Sequence, residues 1–246
     1  MYTENKIKAI VLAAGKGTRL QTEGCEIPKV MRLAAGRPLL AYVRDALDFI
    51  PDKNVVLVVG YLREQVIEAF PNCSFAIQEQ QLGTGHAVAS AQAELEGFDG
   101  DVLVCCGDMP LIRRETYLAL TELHAQQGNA CTLLSGTSDS DLPYGRIVRD
   151  ADGSFSAIVE ERDCSPEQLA IRELNSGVYM FRAQALLEML GKLRTDNAQG
   201  EYYLTDVPAL MLNADLKVGV CCRELGNEIL GVNTQEQLTL VSELLA

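Results

Sequence analysis

The first 135 residues alternate between continuous apolar runs and segments in which apolar residues recur at helical spacing. The apolar runs predict buried strands at 6–12, 55–59, 102–106 and 130–134. The periodic segments predict helices at 38–50, 85–95 and 114–127. Strands without polar alternation, separated by helices, are typical of a mostly parallel sheet that helices cover on both faces.

The second half has a different pattern, in which we expect antiparallel pairing. Runs at 146–149 and 155–161 flank Asp150-Ala-Asp-Gly153, a turn sequence that predicts a β-hairpin. Further patterns predict a helix around 186–193, a strand at 217–222 and a short helix at 234–246. Because no linker-like stretch separates the halves, we predict one α/β domain over 1–246, with a Rossmann-like, mostly parallel sheet and antiparallel additions.

The charge is acidic overall but basic near the start of the chain. There are 21 Lys and Arg against 34 Asp and Glu, a formal net charge of −13. This balance argues against nucleic acid as a partner, because phosphate backbones bind clustered cations. Residues 1–44 nevertheless carry eight basic and three acidic side chains. A basic segment in an acidic protein indicates a local site for an anion.

The eight cysteines include no C-x-x-C pair. Cys105–Cys106 and Cys221–Cys222 are adjacent in strand-like runs, so the two side chains of each pair point to opposite faces. This pattern predicts reduced thiols rather than disulfides or a metal site. No apolar run approaches the roughly 18 residues of a membrane span. With no signal peptide in the sequence, we expect a cytoplasmic protein without a membrane partner.

A glycine-rich loop follows the first predicted strand. The string Leu12-Ala-Ala-Gly-Lys-Gly-Thr-Arg-Leu20 lets backbone N–H groups approach an anion, and it contains the cations Lys16 and Arg19. Leu20 stands where a dinucleotide-binding loop needs its third glycine, and the string of a P-loop is absent. The alternative is an ordinary tight turn after a strand, which would not explain these cations or the Pro28-Lys29 that follows.

A carboxylate follows another predicted strand, 102–106, at Gly107-Asp108. In open α/β sheets, ligands bind in the crevice beyond the carboxyl ends of the strands. A single carboxylate that faces phosphates is a natural ligand for Mg²⁺, which prefers one or two carboxylates, water and phosphate oxygens. The alternative is an aspartate that caps a turn or a helix.

The glycine loop and Pro28-Lys29 together resemble the signature of the sugar-1-phosphate nucleotidyltransferases. These enzymes transfer a nucleoside monophosphate from a nucleoside triphosphate to a phosphorylated acceptor and release pyrophosphate. The resemblance implies that Arg19 neutralises the β- and γ-phosphates and that Lys29 reaches the α-phosphate and the sugar phosphate. The family's G-D-x-P-L string implies that Asp108 binds Mg²⁺. The loop backbone implied to hold the triphosphate comprises Leu12, Ala13, Ala14 and Gly15.

A second loop narrows the resemblance to one subfamily. Gln78-Glu-Gln-Gln-Leu-Gly-Thr-Gly-His86 is similar to the loop of N-acetylglucosamine-1-phosphate uridyltransferases. The resemblance implies that Gln78 and Gly83 read uracil and that Thr84 lies beside the ligand. It also implies UTP and a sugar-1-phosphate as substrates and an in-line displacement that needs no general base.

Five later strings match the same subfamily: Tyr144-Gly-Arg-Ile147, Ile158-Val-Glu-Glu161, Glu173-Leu-Asn-Ser-Gly-Val178, Asn197-Ala-Gln-Gly-Glu-Tyr-Tyr-Leu-Thr-Asp206 and Gly231-Val-Asn233. They imply that Gly145, Glu160 and Asn175 contact the N-acetyl sugar. They also imply that Asn233 is the second metal ligand. In this scheme 1–135 form a nucleotide-binding half, 136–233 a sugar-binding half and 234–246 a C-terminal helix.

The chain also departs from the subfamily. Cys106 stands where an aromatic residue usually precedes Gly-Asp. The left-handed β-helix domain that acetylates glucosamine-1-phosphate in the longer, bifunctional enzymes is not expected. Two rival functions stay open: nucleotidyl transfer to another sugar or alcohol phosphate, and a non-catalytic subunit that senses nucleotide sugars. The preferred sugar epimer and the oligomeric state also stay open.

Overall fold

The backbone of the computed structural model is described for residues 6–20, 26–138 and 142–246, so Cys25 lies outside the described residues. The strands are β1 (Ile7–Leu12), β2 (Leu33–Ala34), β3 (Arg37–Pro38), β4 (Val55–Val59), β5 (Ser74–Ile77), β6 (Asp101–Cys106), β7 (Cys131–Thr137), β8 (Arg146–Arg149), β9 (Phe155–Val159), β10 (Glu173–Arg182) and β11 (Val218–Arg223). The helices are α1 (Leu39–Ala46), α2 (Arg63–Ala69), α3 (Thr84–Ala89), α4 (Arg114–Gln127), α5 (Pro166–Leu169), α6 (Ala183–Leu190), α7 (Val207–Asn213) and α8 (Gln235–Leu245).

The main sheet has the strand order β11-β7-β10-β6-β1-β4-β5. β6, β1, β4 and β5 are parallel to one another, and β10 lies antiparallel between β6 and β7. The hairpin of β8 and β9 joins this sheet where Arg146 pairs with Leu174 of β10. The predicted fold class, a mostly parallel sheet with antiparallel additions, is confirmed.

Helices cover both faces of the sheet, because each strand in its centre is apolar on both sides. α1, α2 and α4 pack on one face through residues such as Leu40, Val66 and Leu120. α3, α6 and α7 pack on the other face through residues such as Val88 and Leu186. A third, smaller cluster joins α8 to the segment after the glycine loop. Each face of the sheet is therefore buried, and the strand ends are left to form a crevice.

Several elements differ from the predictions. The helix predicted at 38–50 ends at Ala46, because Leu47 and Ile50 form tighter turns before Pro51, although both side chains stay buried. The helix predicted at 85–95 divides into α3 and a 3₁₀ turn at Gln92–Leu95. The strand near 217–222 is β11, which pairs with β7 in the parallel direction rather than as an antiparallel addition.

Two further expectations concerned the state of the cysteines and the presence of a membrane-spanning segment. Cys221 is buried and Cys222 exposed, as expected for neighbours on a strand, and the seven cysteines within the described residues are free thiols. Among the helices in 6–20, 26–138 and 142–246, none combines the length and the apolar character that crossing a membrane requires.

Candidate active site

The crevice lies beyond the carboxyl ends of β1, β4 and β6, where parallel strands leave their last residues facing one edge of the sheet. Two adjoining cavities occupy it, with volumes of about 260 Å³ and about 400 Å³. We refer to them as the smaller cavity and the larger cavity. Thr84, Cys106 and Asp108 line both. The two spaces therefore meet at the end of β6.

The smaller cavity collects most of the residues predicted to hold the nucleotide. It is lined by Leu12, Ala14, Gly15, Gln78, Gly83 and Thr84, together with Lys29 and Asp108. Ala13 lies outside this lining. Its side chain is buried, and its backbone N–H donates to Val58 O at 2.9 Å. The backbone at Ala13 therefore extends the pairing of β1 with β4, which leaves its N–H group unavailable to a phosphate.

The loop that precedes α3 is held in place by its own glutamines. Gln78 is buried, and its Nε2 donates to Gly83 O at 3.1 Å and lies 3.1 Å from His86 Nδ1. Gln81 Nε2 donates to Ala14 O at 2.7 Å. The contacts of Gln78 close the loop on itself, and the contact of Gln81 joins it to the glycine loop. Two segments that are far apart in sequence thus form one wall of the smaller cavity.

A segment from the second half supports the same loop. Gly85 N–H donates to Tyr202 O at 2.8 Å, and Leu204 N–H donates to Thr84 Oγ1 at 3.0 Å. Gly83 has a φ of +109°, and a Cβ there would lie 2.5 Å from Tyr202 O. Only glycine fits this position without strain. The Asn197–Asp206 string therefore serves as a brace for the nucleotide-side loop.

The larger cavity collects the residues predicted to contact the sugar. Gly145, Glu160 and Asn175 line it, together with Arg19 and Asn233. A register shift in β10 between Asn175 and Tyr179, with Gly177 at a φ of +73°, interrupts the pairing with β7. Such a bulge re-aims a strand residue. Here it accompanies the placement of Asn175 in the cavity wall, where its Nδ2 donates to Tyr179 Oη at 2.7 Å.

Glu160 is a partly buried carboxylate in the wall of the larger cavity. Burial raises its pKa above the usual value, and the carboxylates of Asp163 and Asp206 act in the same direction. A hydrogen bond from Thr205 Oγ1 to Glu160 Oε1, at 2.9 Å, works against this rise. Burial therefore destabilises the ionised form of Glu160, and a hydroxyl group that donates a hydrogen bond to it in the cavity would stabilise that form.

Lys29, Asp108 and Asn233 converge where the two cavities meet. The ammonium of Lys29 donates to Asp108 Oδ2 and, at 2.7 Å, to Asn233 Oδ1. Asn233 comes from 125 residues further along the chain than Asp108. Its loop reaches the site because Val232 N–H donates to Asp108 O at 2.9 Å. All three side chains are at least partly shielded from solvent.

This cluster fits a divalent cation of the type that binds phosphates. One cationic group already contacts an oxygen of Asp108 and an oxygen of Asn233, so the two oxygens can serve a common cation. Within the described ranges, no group of three or more His, Cys, Asp or Glu side chains could hold a metal on its own. One carboxylate, one amide oxygen and added phosphate oxygens match what Mg²⁺ accepts.

Cys106 lines both cavities, at the position where the family resemblance led us to expect an aromatic residue. Burial raises the pKa of its thiol far above the usual value, and the carboxylate of Asp108 adds to the rise. The thiol is therefore neutral and a poor nucleophile.

Sequence reasoning did not single out Gln81, Tyr144 or Glu201, which line the cavities. Gln81 lies inside the recognised Gln78–His86 string, and Tyr144 stands next to Gly145, so proximity to a motif was the available signal. Glu201 likewise lies within the Asn197–Asp206 string.

Comparisons with known proteins agree with this architecture. The profile of MobA-like NTP transferase domains matches residues 9–200. The protein called "Bifunctional protein GlmU" from Pelotomaculum thermopropionicum is 42% identical over 240 residues, which cover 97% of this chain and 52% of that protein. The proteins of the same name from Streptomyces coelicolor and Geobacter metallireducens are 45% and 43% identical, covering 96% and 94% of this chain and 50% and 49% of theirs. This chain thus spans about half the length of these relatives, and it belongs to the family of MobA-like NTP transferase domains.

Proposed function

We propose that this chain transfers UMP from UTP to N-acetylglucosamine-1-phosphate, giving UDP-N-acetylglucosamine and pyrophosphate. The observation that carries the proposal is the convergence of Lys29, Asp108 and Asn233 at the junction of the two cavities. One cavity carries the glycine loop and the other carries Glu160 and Asn175. A triphosphate in the smaller cavity and a sugar phosphate in the larger one would meet at this cationic junction.

The proposed reaction is an in-line displacement at the α-phosphorus. The attacking oxygen belongs to a phosphate that is already an anion, so no side chain has to remove a proton. The contribution of the protein is alignment and charge stabilisation. Lys29 would hold the α-phosphate and the attacking phosphate at the junction, and exposed Arg19, on the larger cavity, would add a second cation.

Asp108 and Asn233 would hold Mg²⁺. When bound, the ion supplies positive charge to the phosphate oxygens of the triphosphate. The ammonium of Lys29 contacts an oxygen of each of these side chains, so both oxygens are directed toward one cationic position.

Base and sugar selection would come from the loops around the two cavities. Gln78 and Gly83, fixed to each other by a hydrogen bond, would face the uracil edge. Gly145, Glu160 and Asn175 would contact the N-acetyl sugar. The family match supports nucleotidyl transfer in general, whereas these loops support the particular base and sugar.

The test is pyrophosphate release with Mg²⁺, UTP and a panel of sugar-1-phosphates, with CTP, GTP and dTTP as controls. Preference for UTP with N-acetylglucosamine-1-phosphate is expected. Preference for another pair would refute the roles of Gln78, Glu160 and Asn175 but retain the junction. Tight binding of UDP-N-acetylglucosamine without turnover of any pair would favour a sensing subunit instead.

A further inference from the structure

The loop that carries Asn233 is fastened through two consecutive backbone N–H groups. Gly231 N–H donates to Tyr144 Oη at 2.9 Å, and Val232 N–H donates to Asp108 O at 2.9 Å. The first bond joins this loop to the sugar side of the crevice, and the second joins it to the end of β6. Tyr144 and Gly231 are 87 residues apart in the chain.

Tyr144 is itself held firmly. Buried Arg146 donates through Nη1 to Tyr144 O and, at 3.2 Å, to Leu142 O. Tyr144 N–H also donates to Leu142 O at 2.8 Å. The segment that presents Gly145 to the larger cavity is therefore braced from within, and the phenol extends from a fixed backbone.

The surroundings of the phenol leave little freedom at the contact. Tyr144 is half-buried and packs against the core cluster that also contains Met109. A Cβ on Gly231 would lie 3.3 Å from Tyr144 Oη and 3.5 Å from Met109 Cγ. Burial raises the pKa of Tyr144, while the hydrogen bond from Gly231 opposes that rise. The hydroxyl therefore stays protonated, and an oxygen lone pair accepts from Gly231.

We propose that Tyr144 is a positioning residue that couples the sugar-binding loop to the metal-binding loop. Its hydroxyl sets where Gly231 lies, and therefore where Asn233 meets Asp108. Since the same residue neighbours Gly145, a sugar phosphate bound against Gly145 and a cation bound by Asn233 act on one hydrogen-bonded connection, so that each helps to hold the other's loop in its binding position. Binding of the two is then reciprocal, because a coupling free energy acts equally on both sites. This inference rests on the proposed function for the identity of the two ligands.

The test compares Tyr144→Phe with Tyr42→Phe. Tyr42 is also half-buried and donates one hydrogen bond to a backbone carbonyl, Ala34 O at 2.8 Å, but it lies in the cluster around α8. Titration of Mn²⁺ by electron paramagnetic resonance measures metal binding without turnover. We expect Tyr144→Phe to weaken Mn²⁺ binding about five- to tenfold, because a shielded N–H loses its acceptor. Tyr42→Phe should bind Mn²⁺ like the wild type.

Kinetics supply a second readout. In Tyr144→Phe the KM for the sugar phosphate and the Mg²⁺ concentration for half-maximal rate should rise together, while kcat at saturating concentrations changes less than twofold. Unchanged Mn²⁺ binding, or a lower melting temperature with unaltered KM, would assign Tyr144 a merely structural role and overturn the proposal. A wild-type protein that binds no Mn²⁺ would overturn it together with the metal site.

Gly231→Ala gives an independent variant, which serves by itself if Tyr144→Phe does not fold. The added methyl presses on the phenol oxygen, so Mn²⁺ binding should weaken. Where Tyr144→Phe folds, the double variant should lose less than the sum of the two single losses. Additive effects of the two changes would contradict a direct link. A wild-type protein that binds Mn²⁺ but turns over no substrate pair would refute the proposed function, and the titration would still decide the role of Tyr144.

Discussion

Replacing Glu228 with glutamine removes a buried charge from the segment that leads to the loop of Asn233. Glu228 lies in the 3₁₀ turn Gly226–Ile229, and the residue is 6% exposed. Oε2 accepts from Arg113 N–H at 3.0 Å and from Thr116 Oγ1 at 2.6 Å. Oε1 accepts from the guanidinium of Arg113, with Nε at 2.8 Å. Glutamine has nearly the same shape, so the substitution tests the charge and the acceptors.

The expected cost follows from the number of acceptors that are lost. With its oxygen toward the guanidinium, glutamine turns an NH₂ group toward Arg113 N–H, and two donors then face each other. Thr116 can rotate its hydroxyl so that its oxygen accepts from the NH₂ group. The Arg113 side chain is 70% exposed, so water can accept from any guanidinium N–H that loses its partner. One buried N–H without an acceptor costs about 2 kcal/mol. For a chain of this length, that lowers the melting temperature by about 4–8 °C.

The pH dependence has a definite sign. Burial raises the pKa of Glu228, but hydrogen bonds from the backbone and side chain of Arg113 and from Thr116 outweigh it, and the pKa is lowered from 4.5. A carboxylate with a lowered folded-state pKa contributes its full stability above the unfolded value and loses it as pH falls through the folded value. The gap between wild type and Glu228→Gln should therefore be constant above about pH 6 and close in acid.

Calorimetric unfolding at pH 7 and along an acid series measures this gap. Glu115→Gln is the matched control, since it replaces the same side chain in the same way at an exposed position in the first turn of α4. A shift in Glu228→Gln no larger than in Glu115→Gln would refute the reasoning about buried acceptors. A gap that persisted unchanged in acid would refute the reasoning about the charge.

Three further predictions concern the crevice. Asp108→Asn should lower kcat for pyrophosphate release by about 10²–10³-fold, with a melting temperature near that of the wild type because the residue lies at the partly exposed end of a strand. Gly17→Ala places a Cβ 2.8 Å from Lys29 Cβ at a φ of +61° and should lower kcat. Gly36→Ala is the matched control: it carries similar backbone strain, at a φ of +80° with open space around the added methyl, and should lower only the melting temperature. Glu160→Gln should raise both the KM for the sugar phosphate and the melting temperature at pH 7, because the raised pKa means that ionised Glu160 costs stability. As pH falls toward that pKa, the KM of the wild type should rise more steeply than that of the glutamine variant, because the phosphate of the substrate titrates equally with both proteins.

Local patterns predicted the elements that carry the crevice. β4 and α4 have the predicted bounds, because a continuous apolar run and a helical segment that ends at a left-handed glycine, Gly128, need no distant information. β10 was not predicted as a strand, since Asn175-Ser-Gly177 interrupts its apolar run at the bulge. Its ten-residue length comes from pairing with strands on both sides, which no local pattern contains.

For the candidate site, too, local patterns predicted one part and the folded structure was needed for the rest. Motifs indicated Lys29, Asp108 and Asn233 one by one, but the bond from Lys29 to Asn233 spans 204 residues, and only the folded sheet reveals it. The hydrogen bond between Gly85 and Tyr202 spans 117 residues and is likewise beyond local patterns. Residue types and spacing can therefore nominate side chains for a site, whereas the contacts that orient them arise from topology.

The position of β7 has a consequence for how the chain acquires its shape during synthesis. β7 ends at Thr137, yet both of its neighbours, β10 and β11, lie later in the chain. Until Arg182 has left the ribosome, β7 has no neighbour and β6 has an open edge. Unpaired apolar edges recruit strands from other chains. The nascent protein must therefore pass through an aggregation-prone interval of some 45 residues, roughly 2–9 s of elongation, in which chaperone binding has its greatest effect on yield.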